Sequence, residues 1–146
     1  MDVQQLAPGD TVTLGEVRVT EAEILDFARR YDPQPFHVDE AAARASVYGG
    51  LIASGWHTCA LFMRLLADGL LNHTVSLGSP GVEEVRWQRP VRPGDTLRGS
   101  VEVVEHRSSR SKPDRAILVS RGTLTNQDGE IVLSLLATNL LGRERD

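Results

Sequence analysis

Hydrophobic and polar residues change their spacing several times along the chain, and each change marks an element. Pro8-Gly9-Asp10 is a turn signal. It is followed by Val12 and Leu14 and then, with the parity reversed across Gly15, by Val17 and Val19. That pattern predicts a strand with a bulge or bend at Gly15. Thr20 is a good N-cap, and Glu23 completes a capping box. Ile24, Leu25, Phe27, Ala28 and Tyr31 then recur on one face of a helix. Asp32-Pro33-Gln34-Pro35 ends this helix, because each proline pushes its predecessor out of the α region. Asp39 is placed to cap a short helix over 40–44, and Tyr48-Gly49-Gly50 makes a loop.

A longer helix is expected from near Ser54 to about Leu71. Trp56, Cys59, Ala60, Leu61, Phe62, Met63, Leu65, Leu66 and Leu70 occupy most of its circumference. A helix that is apolar nearly all round is expected to be buried. Period-two patterns take over afterwards. Val82, Val85 and Trp87 lie in a segment closed by Pro90, and Pro93-Gly94-Asp95 turns the chain. Leu97, Val101 and Val103 then alternate with Arg98, Ser100 and Glu102, as in a half-buried strand. Residues 116–125 and 130–141 read as two further strands joined through Asn126-Gln127-Asp128-Gly129. The last is apolar on both faces and therefore central. One buried helix with five or six antiparallel strands makes an α+β protein. The economical arrangement is a single domain, 1–146, with a curved antiparallel sheet wrapped around the long central helix, the hotdog fold. A second copy is expected to cover the sheet's outer face and edge, giving a homodimer or a higher oligomer.

Composition narrows the function classes. The chain has 146 residues, 40% of them hydrophobic and 25% charged, with 20 acidic against 16 basic side chains and a net charge of −4. A nucleic-acid partner usually requires the opposite balance. The lone Cys59 excludes an internal disulfide and a multi-cysteine metal site. The longest apolar stretch, Trp56 to Leu71, carries His57, Arg64, Asp68 and Gly69 and is too short and polar to span a bilayer. The N-terminal run through Asp2-Val3-Gln4-Gln5 has no basic segment leading into an apolar one, so it does not read as a secretory signal. The expectation is a cytoplasmic protein without a membrane partner.

Chemistry concentrates in Tyr31-Asp32-Pro33-Gln34-Pro35-Phe36-His37. A carboxylate and an imidazole lie five residues apart on a stretch stiffened by two prolines, which can fix both side chains in direction. Converging on one water, such a pair is sufficient for general acid–base work near neutral pH. Spacing alone leaves another reading open, in which Asp32 caps a turn and His37 is a satisfied surface residue. Elsewhere, His57 suits packing or a backbone hydrogen bond, and Trp56 and Phe62 fill core or line a pocket. Cys59 reads as a buried, inert thiol. His73 and His106 have no metal-ligand spacing with any partner, so no metal site is expected. Walker and dinucleotide fingerprints are absent.

The run Asp32-Pro33-Gln34-Pro35-Phe36-His37, followed by Gly49-Gly50-Leu51-Ile52-Ala53-Ser54-Gly55, resembles the hydratase-2 motif D-x-N-P-(aliphatic)-H of the MaoC-like dehydratases, the (R)-specific enoyl-CoA hydratase family. Arg89-Pro90-Val91 through Pro93-Gly94-Asp95-Thr96-Leu97 is similar to the same family's sheet region. The resemblance implies that Asp32 and His37 activate a water that adds to C3 of a trans-2-enoyl thioester. It also maps the oxyanion donor onto the Gly55 amide, at the electropositive start of the long helix. Gln34 and Ser54 join Gly55 as candidate oxyanion or substrate-binding residues. An acyl-CoA substrate is implied, with no separate cofactor. Arg107, Arg110, Lys112 and Arg115 form a basic cluster that is either a solvated hairpin tip or a site for coenzyme A phosphates. Three positions depart from the family. Gln34 stands for asparagine, Phe36 for an aliphatic residue, and Met63 where several family hydratases carry serine. Two other functions stay open beside hydration: acyl-CoA thioester hydrolysis, and a non-catalytic acyl-CoA or lipid-binding module.

Overall fold

The computed structural model describes residues 2–143, so residues 1 and 144–146 of the expected domain lie outside it. Six antiparallel strands form one sheet: β1 (Thr11–Arg18), β2 (Val75–Ser76), β3 (Gly81–Arg86), β4 (Thr96–Ser108), β5 (Arg115–Thr125) and β6 (Ile131–Gly142). The spatial order is β1-β4-β5-β6-β2, with β3 also paired to β6. Thus β6 is central, flanked by β5 on one side and by β3 and β2 on the other, as its two apolar faces require. Among the described residues, four α-helices accompany the sheet: α1 (Glu21–Tyr31), α2 (Pro35–Val38), α3 (Glu40–Ala45) and α4 (Gly55–Gly69). The one-turn α2 and the short β2 have too few residues to leave a periodic signal, and neither is legible in the hydrophobic pattern.

Local signals produce these elements. The β1–β4 register shifts between Thr13 and Gly15, where Gly15 has φ 108°, so the bulge falls where the parity reverses. Thr20 caps α1 by accepting the Glu23 amide at 3.2 Å, and its hydroxyl donates to Glu23 Oε1 at 2.8 Å. Asp39 accepts the Ala41 and Ala42 amides at the start of α3. Asn126 Oδ1 accepts the Asp128 and Glu130 amides at 3.0 Å and closes the β5–β6 hairpin.

The long helix α4 lies across the inner face of the sheet, and glycines let it settle there. Phe62 rests against Gly122 on β5, and Leu65 against Gly99 on β4. Gly69 touches the backbone of β1, where a Cβ would come 2.8 Å from the Leu14 carbonyl oxygen. Leu97, Val101, Leu118, Leu124 and Leu133 complete a core that excludes water fully or nearly so. Burial of such side chains stabilises the fold by about 1.5–3 kcal/mol each.

Two expectations about burial are corrected. Helix α4 is not enclosed on all sides: Trp56 is 62% exposed, Met63 is 48% exposed, and Ala60 between them is also exposed. These residues follow the i, i+4, i+7 spacing of one helical stripe, on the side turned away from the sheet. Tyr31 does not join the buried face of α1. It is 67% exposed in the helix's last turn, its ring tilted 53° against Phe27 at 5.1 Å between centroids.

Candidate active site

Helix α1 stops at Asp32, whose amide still bonds Ala28 O at 2.8 Å although its own φ of −153° has left the helix. Pro33 follows, and Pro35 occupies the first position of α2, where a missing N–H is harmless. The prolines therefore frame a turn and a one-turn helix. This geometry folds His37 back over Asp32. His37 is 4% exposed, so it is not a surface residue.

Three of the pair's four polar side-chain atoms are hydrogen-bonded, and the fourth, His37 Nε2, faces the carboxylate. His37 Nδ1 lies 2.8 Å from the Ile52 carbonyl oxygen. A carbonyl only accepts, so the hydrogen sits on Nδ1. Nε2 is then the nitrogen that exchanges a proton, and it lies 3.3 Å from Asp32 Oδ2. Gln34 Nε2 donates to Asp32 Oδ1 at 2.7 Å, and Ser54 Oγ donates to Asp32 Oδ2 at 2.6 Å. Burial acts to raise the Asp32 pKa, but the bonds from Ser54 and Gln34 and the nearby His37 outweigh it. Together they hold the carboxyl below its ordinary value of 3.8.

Ser54 is also the N-cap of α4 and accepts the Trp56 amide at 3.3 Å. The first backbone bond of the helix runs from Thr58 N–H to Ser54 O at 3.1 Å. Amides before Thr58 are therefore left for side chains or a ligand. Asp32, His37 and Gly55 line one cleft of about 490 Å³, together with Trp56, Trp87 and Arg89. That cleft brings together three of the expected site residues, and Gln34 lines it as well. Ser54 is fully buried behind it, turned to Asp32 rather than to a ligand.

Trp87 is a site residue that sequence reasoning placed only in a strand. Its indole packs where a Gly55 side chain would be, with a Cβ there only 2.5 Å from ring carbon Cε2. Its Nε1 donates to Gly55 O at 2.9 Å. Nothing local in the sequence joins residues this far apart.

The remaining candidates fall outside the pair. His57 stacks on Phe27 at 4.9 Å and 11° between planes, with Nδ1 buried and lacking a hydrogen-bond partner. Cys59 is half-buried, and desolvation raises its pKa, which keeps it a thiol. Phe62 belongs to the core, and Met63 lies on the exposed stripe of α4. Arg92 ties down the Tyr48 carbonyl at 2.6 Å, and Arg89 pairs with Glu130 at 2.5 Å. Arg107, Arg110, Lys112 and Arg115 flank or form the β4–β5 turn. None of the four lines the cleft, and Arg107 and Arg115 pair with Glu105 and Asp114. Among the described residues, no group of three or more His, Cys, Asp or Glu is placed to hold a metal ion. No helix among them is long and apolar enough to cross a membrane.

Comparison with known proteins adds four observations. The family model described as MaoC like domain matches residues 3–122. An uncharacterized protein of Bacillus subtilis (strain 168), YdeM, is 32% identical over 110 residues, which cover 70% of this chain and 77% of that protein. Among solved structures, the MaoC-like dehydratase from Rhodospirillum rubrum aligns with TM-score 0.89 and 42% identity, over 100% of this chain and 99% of that one. The R-hydratase PhaJ1 from Pseudomonas aeruginosa aligns with TM-score 0.71 and 27% identity, over 96% of this chain and 84% of that one.

Proposed function

The chain belongs to the MaoC-like dehydratase family, and from that premise we propose that it reversibly hydrates a trans-2-enoyl-CoA thioester. Asp32 and His37 act as the acid–base pair, and the Gly55 amide acts as oxyanion donor. The observation that carries this reading is the convergence of Asp32, His37 and Gly55 on one cleft, with the carboxylate and imidazole 3.3 Å apart. The similarity to an R-hydratase supports the same reaction class.

In the hydration direction, a water held by the pair bonds through its oxygen to C3. Electron density moves through C2 to the thioester oxygen. There it meets the free amides and the positive dipole end of α4. The pair takes one proton from the water and returns one to C2, so the sum is addition of H and OH across the double bond. Because Nδ1 is committed to Ile52 O, proton traffic on His37 passes through Nε2. No cofactor is needed in this scheme beyond the coenzyme A of the substrate.

The same proposal includes a homodimer. The stripe Trp56, Ala60 and Met63 on α4 and the edge strand β3, with Val82 53% exposed, leave apolar surface open on a single chain. A second copy that covers both would remove an exposed edge and an apolar patch together. The reading is tested by loss of enoyl absorbance when the protein meets a trans-2-enoyl-CoA, with Asp32→Asn and His37→Ala as the informative variants.

A further inference from the structure

Ser54 holds two parts of the proposed machinery at once. Its Oγ donates to Asp32 Oδ2 at 2.6 Å and accepts the Trp56 amide at 3.3 Å. Its carbonyl accepts the Thr58 amide at 3.1 Å and the Thr58 hydroxyl at 3.4 Å. The residue is fully buried, so it cannot meet a substrate. Asp32 closes α1 and Ser54 opens α4, 22 positions apart in sequence. Gln34 secures the other carboxylate oxygen, but it lies on the same turn as Asp32 and fixes nothing relative to α4.

We infer that Ser54 is a positioning residue for the hydration step, its hydroxyl tying the Asp32 carboxylate to the first turn of α4. The carboxylate and the amides that meet the thioester oxygen then move as one body. The inference rests on the hydration reading. In a chain of donors from the Trp56 N–H through the Ser54 O–H to the carboxylate, each bond polarises the next. Without the hydroxyl, Asp32 Oδ2 faces only His37, and the one remaining hydrogen bond to the carboxylate, from Gln34, ties it to its own turn and not to α4. A misplacement of this kind reduces the rate without changing contacts to the acyl chain.

The test is Ser54→Ala beside Ser54→Thr, which keeps both the hydroxyl and the cap. Besides Asp32, the titratable groups that face the cleft are His37 from α2, Tyr48 from the loop after α3, and Arg89, which is paired with Glu130. None of them is altered in either variant. Ser54→Ala is expected to lower kcat about 10- to 100-fold with KM nearly unchanged, the size of effect of a lost charge-assisted hydrogen bond. Its Asp32 carboxyl should titrate at higher pH by carboxyl-carbon NMR, a readout independent of turnover. Ser54→Thr should stay near wild type in both. Where threonine does not fit, an Asp32→Asn background serves instead, since there Ser54→Ala should have little further effect on residual turnover. An unmoved Asp32 titration with unchanged kcat in Ser54→Ala overturns the inference and leaves the hydration reading intact. An inactive wild-type protein whose Asp32 titration still moves overturns the hydration reading and confirms the tether.

Discussion

The indole of Trp87 occupies the volume that a side chain at position 55 would need, and its Nε1 donates to the Gly55 carbonyl at 2.9 Å. Glycine is therefore required at the first residue of α4 by the packing of this chain itself, whatever a substrate adds. A Gly55→Ala side chain would meet ring carbons at 2.5–2.9 Å. The expected outcome is a loss of about 1–3 kcal/mol, as for other overpacked sites. Thermal unfolding measures the loss, and Trp87 fluorescence reports displacement of the indole. Unchanged fluorescence and stability would contradict this packing.

The Asp32 carboxyl carries a pH signature. Burial opposes its charge, but Ser54, Gln34 and His37 favour it more, so the folded-state pKa lies below 3.8. The stabilisation is therefore present above about pH 4 and is lost as pH falls through the folded value. Asp32→Asn should be less stable than wild type by about 1 kcal/mol at neutral pH. The gap should narrow as the solution is acidified, when followed by denaturant midpoints. A gap that widens in acid would contradict the direction.

His57 carries a signature of a different origin. Desolvation lowers its pKa below 6.5, against a smaller opposing effect of Glu23. Folding then favours the neutral ring, so this contribution is present above pH 6.5 and declines as pH falls below it. His57→Phe keeps an aromatic ring against Phe27 and removes the unpartnered buried Nδ1. This variant should lose less stability than wild type between pH 7.5 and pH 5.5, as read by urea denaturation; an equal loss in both proteins would contradict it.

The open stripe on α4 and the β3 edge predict self-association. Sedimentation of the wild-type protein should give about twice the mass of one chain. Met63→Glu and Val82→Glu place charge at exposed positions of the single chain. They should shift the population toward monomer without a loss of helix content by circular dichroism. A wild-type monomer would contradict the predicted pairing.

What the sequence revealed depended on distance along the chain. The Gly15 bulge, the Thr20 cap and the Asn126–Gly129 hairpin are set by neighbours within a few residues, and they were legible. So was the Asp32–His37 pair, which a single turn brings together. The link from Ser54 to Asp32 and that from Trp87 to Gly55 span 22 and 32 positions, with no periodicity to announce them. Hydrophobic spacing also errs in a defined way. It groups Trp56, Ala60 and Met63 with the enclosed residues of α4, whereas all three are exposed on this chain.

The central claim is that Asp32 and His37 add water to an enoyl thioester, and the most direct measurement is enoyl absorbance after mixing with a trans-2-enoyl-CoA. The absorbance should fall with wild-type protein, at rates about 10²- to 10⁴-fold lower for Asp32→Asn and for His37→Ala, the range for a lost acid–base group. Absorbance that does not fall with wild type across a panel of chain lengths, or that falls with matching release of free thiol, would contradict the account, as would undiminished rates in both variants.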